Sequence, residues 1–234
     1  VGKKKLKRWV EMEAFEHVIQ PQFEETYKKD YHLKGKWATE FFKNNNPIFL
    51  ELGCGKGEYT IELARKNPQK NFIGVDIKGA RMWRGAQDAW EEQLKNVAFL
   101  RTRIELINSF FGPEEVSEIW LAFPDPQLKK RRNKKRLTSA RFLNSYNKFL
   151  KPGGIIHLKT DDAVLYHYTF NLIRQNQLEI VRSSEDLYKE NELNYTLSIK
   201  THYEKQFLSQ GLKIYYLCFK PATKNQIKEP EQNE

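Results

Sequence analysis

The chain has 234 residues, of which 39% are hydrophobic, 30% charged and 13% aromatic. That length allows one large or two small domains at roughly 150 residues each, and the aromatic content excludes a disordered chain, because so many rings need an interior. Lys and Arg (40) against Asp and Glu (30) leave a formal charge of +10, which favours polyanions, nucleic acid before an anionic membrane surface; two cysteines exclude a disulfide scaffold, and no apolar run approaches the ~20 residues of a membrane span. Val1 to Arg8 is basic with no apolar core behind it, so a cytoplasmic protein with no membrane contact is expected. Residues 1–46 read as a basic extension in which Phe15, Val18 and Ile19 carry a helical spacing. From 47 to 220 the pattern changes. The apolar runs Ile48–Cys54, Phe72–Ile77, Val97–Leu100, Ile119–Phe123 and Ile155–Leu158 alternate with the amphipathic stretches Tyr59–Lys66, Ala80–Leu94, Ile104–Phe111 and Ser139–Leu150. Alternation at this spacing predicts βαβ units around a parallel sheet. Pro152-Gly153-Gly154 turns into the fifth strand, a helix follows near Ala163–Arg174, and two more strands are predicted at Glu179–Ser183 and Leu212–Lys220. Residues 221–234 are polar and aperiodic, and a frayed tail is expected there.

The first chemical signal is Glu51-Leu52-Gly53-Cys54-Gly55-Lys56-Gly57, which leads from a strand into a helix. Glycines let the backbone turn tightly and a ligand approach the main chain. Position 58 is Glu, so the G-x-G-x-x-G dinucleotide spacing is broken, and no Gly-Lys-Ser/Thr follows to make a Walker loop. Glu51 and Glu58 disfavour a phosphate and favour a ligand with a cationic or amino-acid end. Asp76 ends the second strand, where a carboxylate can accept both ribose hydroxyls of a nucleoside. Alone, the glycines can simply pack a helix on a sheet and Asp76 can simply cap a turn; together they read as a nucleoside site at the switch point of the sheet. The combination resembles class I S-adenosylmethionine-dependent methyltransferases. The fold expected from it is α/β and Rossmann-like, a mostly parallel seven-stranded sheet with helices on both faces. The resemblance implies Gly53 and Gly55 beside the methionine part of the donor, Glu51 near its amino end and Asp76 on its ribose.

The fourth strand ends in Phe123-Pro124-Asp125-Pro126, where two prolines stiffen the backbone around one acid. Seven of the eight residues from Lys129 to Arg136 are cationic. Such runs are commonly solvated faces, but this one follows directly on a strand end where ligands bind, and it can engage several phosphates. Lys3, Lys4, Lys5, Lys7 and Arg8 extend the same basic footprint. Lys159-Thr160-Asp161 ends the fifth strand, and Thr201-His202-Tyr203-Glu204 precedes the last; T-x-x-E also reads as a helix capping box.

The Asp-Pro turn with its basic run, the Lys-Thr-Asp strand end and the Thr-x-Tyr-Glu segment together resemble the bacterial tRNA (guanine-N7-)-methyltransferase family, over roughly residues 47–220. The resemblance implies methyl transfer from S-adenosylmethionine to N7 of the variable-loop guanine at position 46 of tRNA. It implies that Glu51, Asp76 and Asp125 contact the donor, that Asp125 is also catalytic, and that Lys129, Asp161, Thr201, His202, Tyr203 and Glu204 contact the substrate. Two positions depart from the family pattern. Arg103 stands where an Asp often meets the adenine amino group, so either main-chain groups of Arg103 and Ile104 contact the adenine or the side chain serves RNA. Gln127 and Leu128 stand where a tryptophan often follows the turn. Guanine N7 carries a free lone pair, so Asp125 is expected to orient the base and favour its developing charge rather than remove a proton. No metal is expected, since the five histidines lack paired ligand spacing. A methyltransferase acting on another RNA, a protein or a small molecule, and a non-catalytic RNA-binding module, remain open at this stage, as does monomer against homodimer.

Overall fold

The computed structural model describes residues 2–190, 193–221 and 225–230. The side chains of Lys3, Lys4, Lys5 and Lys130, counted above in the basic footprint, lie outside the described part, as do residues 222–224 and 231–234 of the expected tail.

Among the described residues eight strands form one sheet: β1 (Val18–Ile19), β2 (Ile48–Leu52), β3 (Asn71–Asp76), β4 (Val97–Arg101), β5 (Val116–Ala122), β6 (Leu150–Thr160), β7 (Glu179–Ser184) and β8 (Tyr215–Lys220), in the order β1-β4-β3-β2-β5-β6-β8-β7. Pairing is parallel from β1 to β6, and β8 runs antiparallel to both neighbours. The central strands are buried on both faces, which is why they read as continuous apolar runs rather than alternating ones. The helices are α1 (Gly2–Glu13), α2 (Phe23–Thr26), α3 (Glu58–Lys66), α4 (Gly79–Glu91), α5 (Ala140–Tyr146), α6 (Ala163–Gln175), α7 (Tyr195–Ser198) and α8 (His202–Ser209). Two apolar clusters fill the two faces. One joins Leu50, Ile73 and Leu158 to Trp37, Phe111, Leu143 and Leu172. The other joins Phe49, Phe72, Phe99 and Trp120 to Tyr59, Met82, Ala86 and Leu197.

Three expectations are corrected. Val18 and Ile19 are not helical. They pair with Phe99 and Leu100 as an eighth strand, and the Phe99 N–H donates to the His17 carbonyl at 2.8 Å, so the open edge of β4 captures this β-branched pair. Ile104–Ser109 is a 3₁₀ stretch and not an α-helix, closed at its ends by the i→i+3 bonds from the Leu106 N–H to the Arg103 carbonyl at 2.9 Å and from the Phe110 N–H to the Ile107 carbonyl at 3.0 Å. Residues 225–230 are docked rather than frayed. Ile227 is buried, and its N–H and C=O both bond the Asn144 side chain, at 3.0 and 2.8 Å. The Lys228 backbone does the same with Asn176, at 2.8 and 2.9 Å. These contacts anchor the segment across α5 and α6. Among the described residues no helix is long and apolar enough to cross a membrane.

Parallel pairing brings the carboxyl ends of β2 through β6 to one edge of the sheet. Between β2 and β5 the strand order reverses, and the loops leaving these two strands part to open a crevice.

Candidate active site

That crevice is a cavity of about 800 Å³. Its floor is the glycine turn after β2. Gly53 and Cys54 both donate to the Val75 carbonyl, at 2.8 and 3.1 Å, and Gly53, Gly55 and Gly57 all take positive φ (80°, 55° and 73°). The turn rests on the Phe99 ring. A Cβ at Gly57, Gly74 or Gly85 would stand 2.6, 2.9 or 2.8 Å from that ring, so three glycines from three elements clear one space. The glycines therefore serve packing and the open backbone at once.

Asp76 is set by the same turn. One carboxylate oxygen accepts the Gly55 N–H at 2.9 Å, the other the Lys78 N–H at 2.8 Å. Glu51 lines the cavity at only 5% exposure, with its carboxylate taking the Thr60 N–H at 2.9 Å and the Thr60 hydroxyl. Burial pushes its pKa up to about 7, against the opposing pull of the two Thr60 bonds. A cationic group entering beside it would relieve that cost. Thr102, Arg103 and Ile104 line the cavity past the end of β4. Arg103 is exposed, and its guanidinium has no partner among the described residues.

Opposite the glycines stands the turn after β5. The Phe123 N–H donates to Lys159 O at 2.8 Å, and both Phe123 and Gln127 take positive φ (52° and 49°). Between them Asp125 is exposed, its Oδ1 accepting the Gln127 N–H at 2.9 Å. The basic run follows as a 3₁₀ segment, Lys130–Lys135. Lys129, Arg131, Arg132, Lys134 and Lys135 are exposed, and Lys135 lines the cavity. Arg136 departs from the expectation. It is buried, directed inward, and donates to the Pro126 carbonyl at 2.8 Å, so it is not available to phosphate.

The third wall comes from β6 and α8. Asp161, Thr201 and Tyr203 line the cavity, and burial raises the Asp161 pKa. Glu204 does not line it. Expected to touch substrate, it is fully buried and paired with Lys159 at 2.7 Å, and it accepts the Tyr188 hydroxyl at 2.8 Å. Lys159, also fully buried, further donates to the Leu197 and Ile199 carbonyls at 3.1 Å each. Thr201 caps α8 by accepting the Glu204 N–H, but the Glu204 carboxylate turns to Lys159 and Tyr188, so only half of a capping box forms. His202 is exposed beside the cavity and donates its N–H to Glu58 at 2.8 Å. Lys129 is exposed outside the lining. The structure thus gathers Glu51, Gly53, Gly55, Asp76, Arg103, Asp125, Asp161, Thr201 and Tyr203 around one space. Phe207 joins them and was not foreseen, though its spacing of four from Tyr203 on a helix was a usable signal. Among the described residues no group of three His, Cys, Asp or Glu could hold a metal ion.

A glycine turn facing a carboxylate at the end of the neighbouring strand, at the reversal of a parallel sheet, defines a class I S-adenosylmethionine-dependent methyltransferase. The solved 16S rRNA methyltransferase KamB (TM-score 0.58, 14% identity, 77% of this chain and 90% of that one) and an antibiotic-related methyltransferase (TM-score 0.58, 16% identity, 83% and 96%) share the fold. The family model described as "Putative methyltransferase" matches residues 45–217. The tRNA (guanine-N(7)-)-methyltransferase of Christiangramia forsetii is 56% identical over 220 residues, covering 94% of this chain and 98% of that protein. Its namesake from Bacteroides thetaiotaomicron is 50% identical over 231 residues, covering 99% and 91%. The chain belongs to the tRNA (guanine-N7-)-methyltransferase family.

Proposed function

We propose that the protein methylates N7 of guanine in tRNA, at the variable-loop guanine, with S-adenosylmethionine as donor. The observation that carries this is the placement of Asp125: a backbone-fixed carboxylate at the mouth of a nucleoside-sized cavity, next to five exposed cations. The residues fit the donor. Glu51 matches an amino group, Asp76 a ribose, and the glycine turn allows close approach of the methionine part. At the adenine end Arg103 offers no acceptor on its side chain, which leaves main-chain groups of Arg103 and Ile104 for the base. S-adenosylmethionine supplies a sulfonium-activated methyl group when bound.

The protein's task is then positioning and electrostatics. N7 has its lone pair at neutral pH, so no side chain need remove a proton first. Asp125 orients the guanine and favours the positive charge that grows on its ring. Asp161, Thr201 and Tyr203 line the approach of the base, with His202 and Lys129 at its rim. Tyr203 offers an exposed ring where Gln127 and Leu128 provide none. Lys129, Arg131, Arg132, Lys134 and Lys135 take phosphates, offsetting the few kcal/mol needed to extract a base from the tRNA core.

The test is a map of N7-methylguanosine in tRNA incubated with protein and donor, read by base-specific strand cleavage. One new site in the variable loop is expected. Methylation elsewhere, or of protein instead of tRNA, would overturn the assignment. Asp125→Asn and Asp125→Ala should both lose most of the single-turnover rate at saturating tRNA.

A further inference from the structure

Arg136 closes the cationic run in sequence but differs from it in place. Its exposure is 3%, while its five described cationic neighbours are exposed. Its Nε–H donates to the carbonyl of Pro126, one residue past Asp125, at 2.8 Å. Its guanidinium lies 4.3 Å from the centroid of the Tyr168 ring on α6. The Tyr168 hydroxyl donates to Glu229 at 2.5 Å, and the other Glu229 oxygen accepts the Ala140 N–H, at the start of α5, at 3.1 Å. Glu229 in turn belongs to the segment that Asn144 and Asn176 anchor. A continuous line of contacts therefore runs from residues 225–230 to the backbone beside Asp125. The turn at its end needs such support, because Phe123 and Gln127 both hold non-glycine residues at positive φ.

We propose that Arg136 is a positioning residue that sets the Asp125 turn for methyl transfer, and that Tyr168 and Glu229 form the brace behind it. The inference rests on the reading of Asp125 given above. Arginine suits the position because it combines a directional Nε–H with a flat face for the ring; lysine offers only a point charge.

The experiment compares Arg136→Lys and Tyr168→Phe with the parent protein over full-length chains. It measures the single-turnover rate at saturating tRNA and donor, the tRNA Kd, and the slope of log Kd against log salt. Arg136→Lys should lower the rate tenfold or more with Kd and salt slope unchanged. Tyr168→Phe keeps the ring and loses only the bond to Glu229; its rate should fall about three- to fivefold in the same pattern. Arg136→Met, which removes the cation that lysine keeps, joins the salt series: a shallower slope in it overturns the proposal and makes Arg136 a phosphate ligand. So does a parental rate, or a rate loss that disappears on cooling in step with a lower Tm, which would make the role one of fold stability. If Arg136→Lys fails to fold, Tyr168→Phe decides alone by the same criteria. Asp125→Ala separates the two readings: a parental rate there defeats the role of Asp125 itself, whereas a dead Asp125→Ala beside a fully active Arg136→Lys defeats only the brace.

Discussion

Burial brings the Glu51 carboxyl into the neutral pH range. Its folded pKa of about 7 lies above the ordinary 4.5. Between those values the folded protein keeps a proton that the unfolded chain releases. The stability this group contributes is therefore fully present below pH 4.5 and is lost as pH rises through about 7. The difference amounts to about 3 kcal/mol. Glu51→Gln should flatten the dependence of chemical-denaturation stability on pH between 5 and 8, stabilising the ligand-free protein at pH 8 by up to that amount while weakening donor binding. If a cationic amino group docks here, donor binding near pH 6 should expel a proton. Calorimetry in two buffers of different ionisation heat would show it, and the release should vanish at pH 8.5. The position of Glu51 before the glycine turn was readable from sequence. Its enclosure with Thr60 was not, because that depends on how α3 folds back over β2. Glu204 shows the opposite case: a segment that reads as surface hides a carboxylate whose partner, Lys159, lies on another element.

At the scale of elements, that pair ties β6 to α7 and α8 and so carries Tyr203 to the cavity. Removing one partner strands a buried charge, at a cost of about 3–5 kcal/mol. Lys159→Met and Glu204→Leu singly should each destabilise by that order in urea titration, and the double variant should recover much of the loss. The glycine cluster makes a second prediction. Helix propensity alone would favour Gly85→Ala by ~1 kcal/mol. The added Cβ would instead meet the Lys56 carbonyl at 2.7 Å and the Phe99 ring at 2.8 Å. Those contacts are rigid, so the net effect should be destabilising by about 1–3 kcal/mol, with weaker donor binding in calorimetry. Five parallel strands and most of their helices could be found from sequence because each is a long apolar run or a periodic face. The two-residue β1 lacked length, and the docked segment 225–230 lacked periodicity. Its anchors are two asparagine side chains, which no hydrophobic pattern records.

For the molecule as a whole, the charge of +10 announced a polyanionic partner but not its location. The fold leaves Lys129, Arg131, Arg132, Lys134 and Lys135 exposed at and just before one 3₁₀ segment that follows the Asp125 turn, with Lys135 lining the cavity. Five phosphate contacts give a slope of log affinity against log salt of roughly −3.5 to −4.5, at about −0.7 to −0.9 per contact. Replacing Arg131 and Lys134 together by Ala should make that slope shallower by about 1.5, measured by filter binding across a salt series. The sheet order carries one more consequence. Strand β8 is inserted between β6 and β7, though it follows both in the chain. A polypeptide emerging from the ribosome can pair β2 to β6 as each appears, with β1 added at the edge once β4 is made, but β7 has no neighbour to pair with until residues 215–220 arrive. The half that carries Tyr203 is therefore completed by a late threading event, and a ribosome stalled before that strand would leave β6 with an open edge.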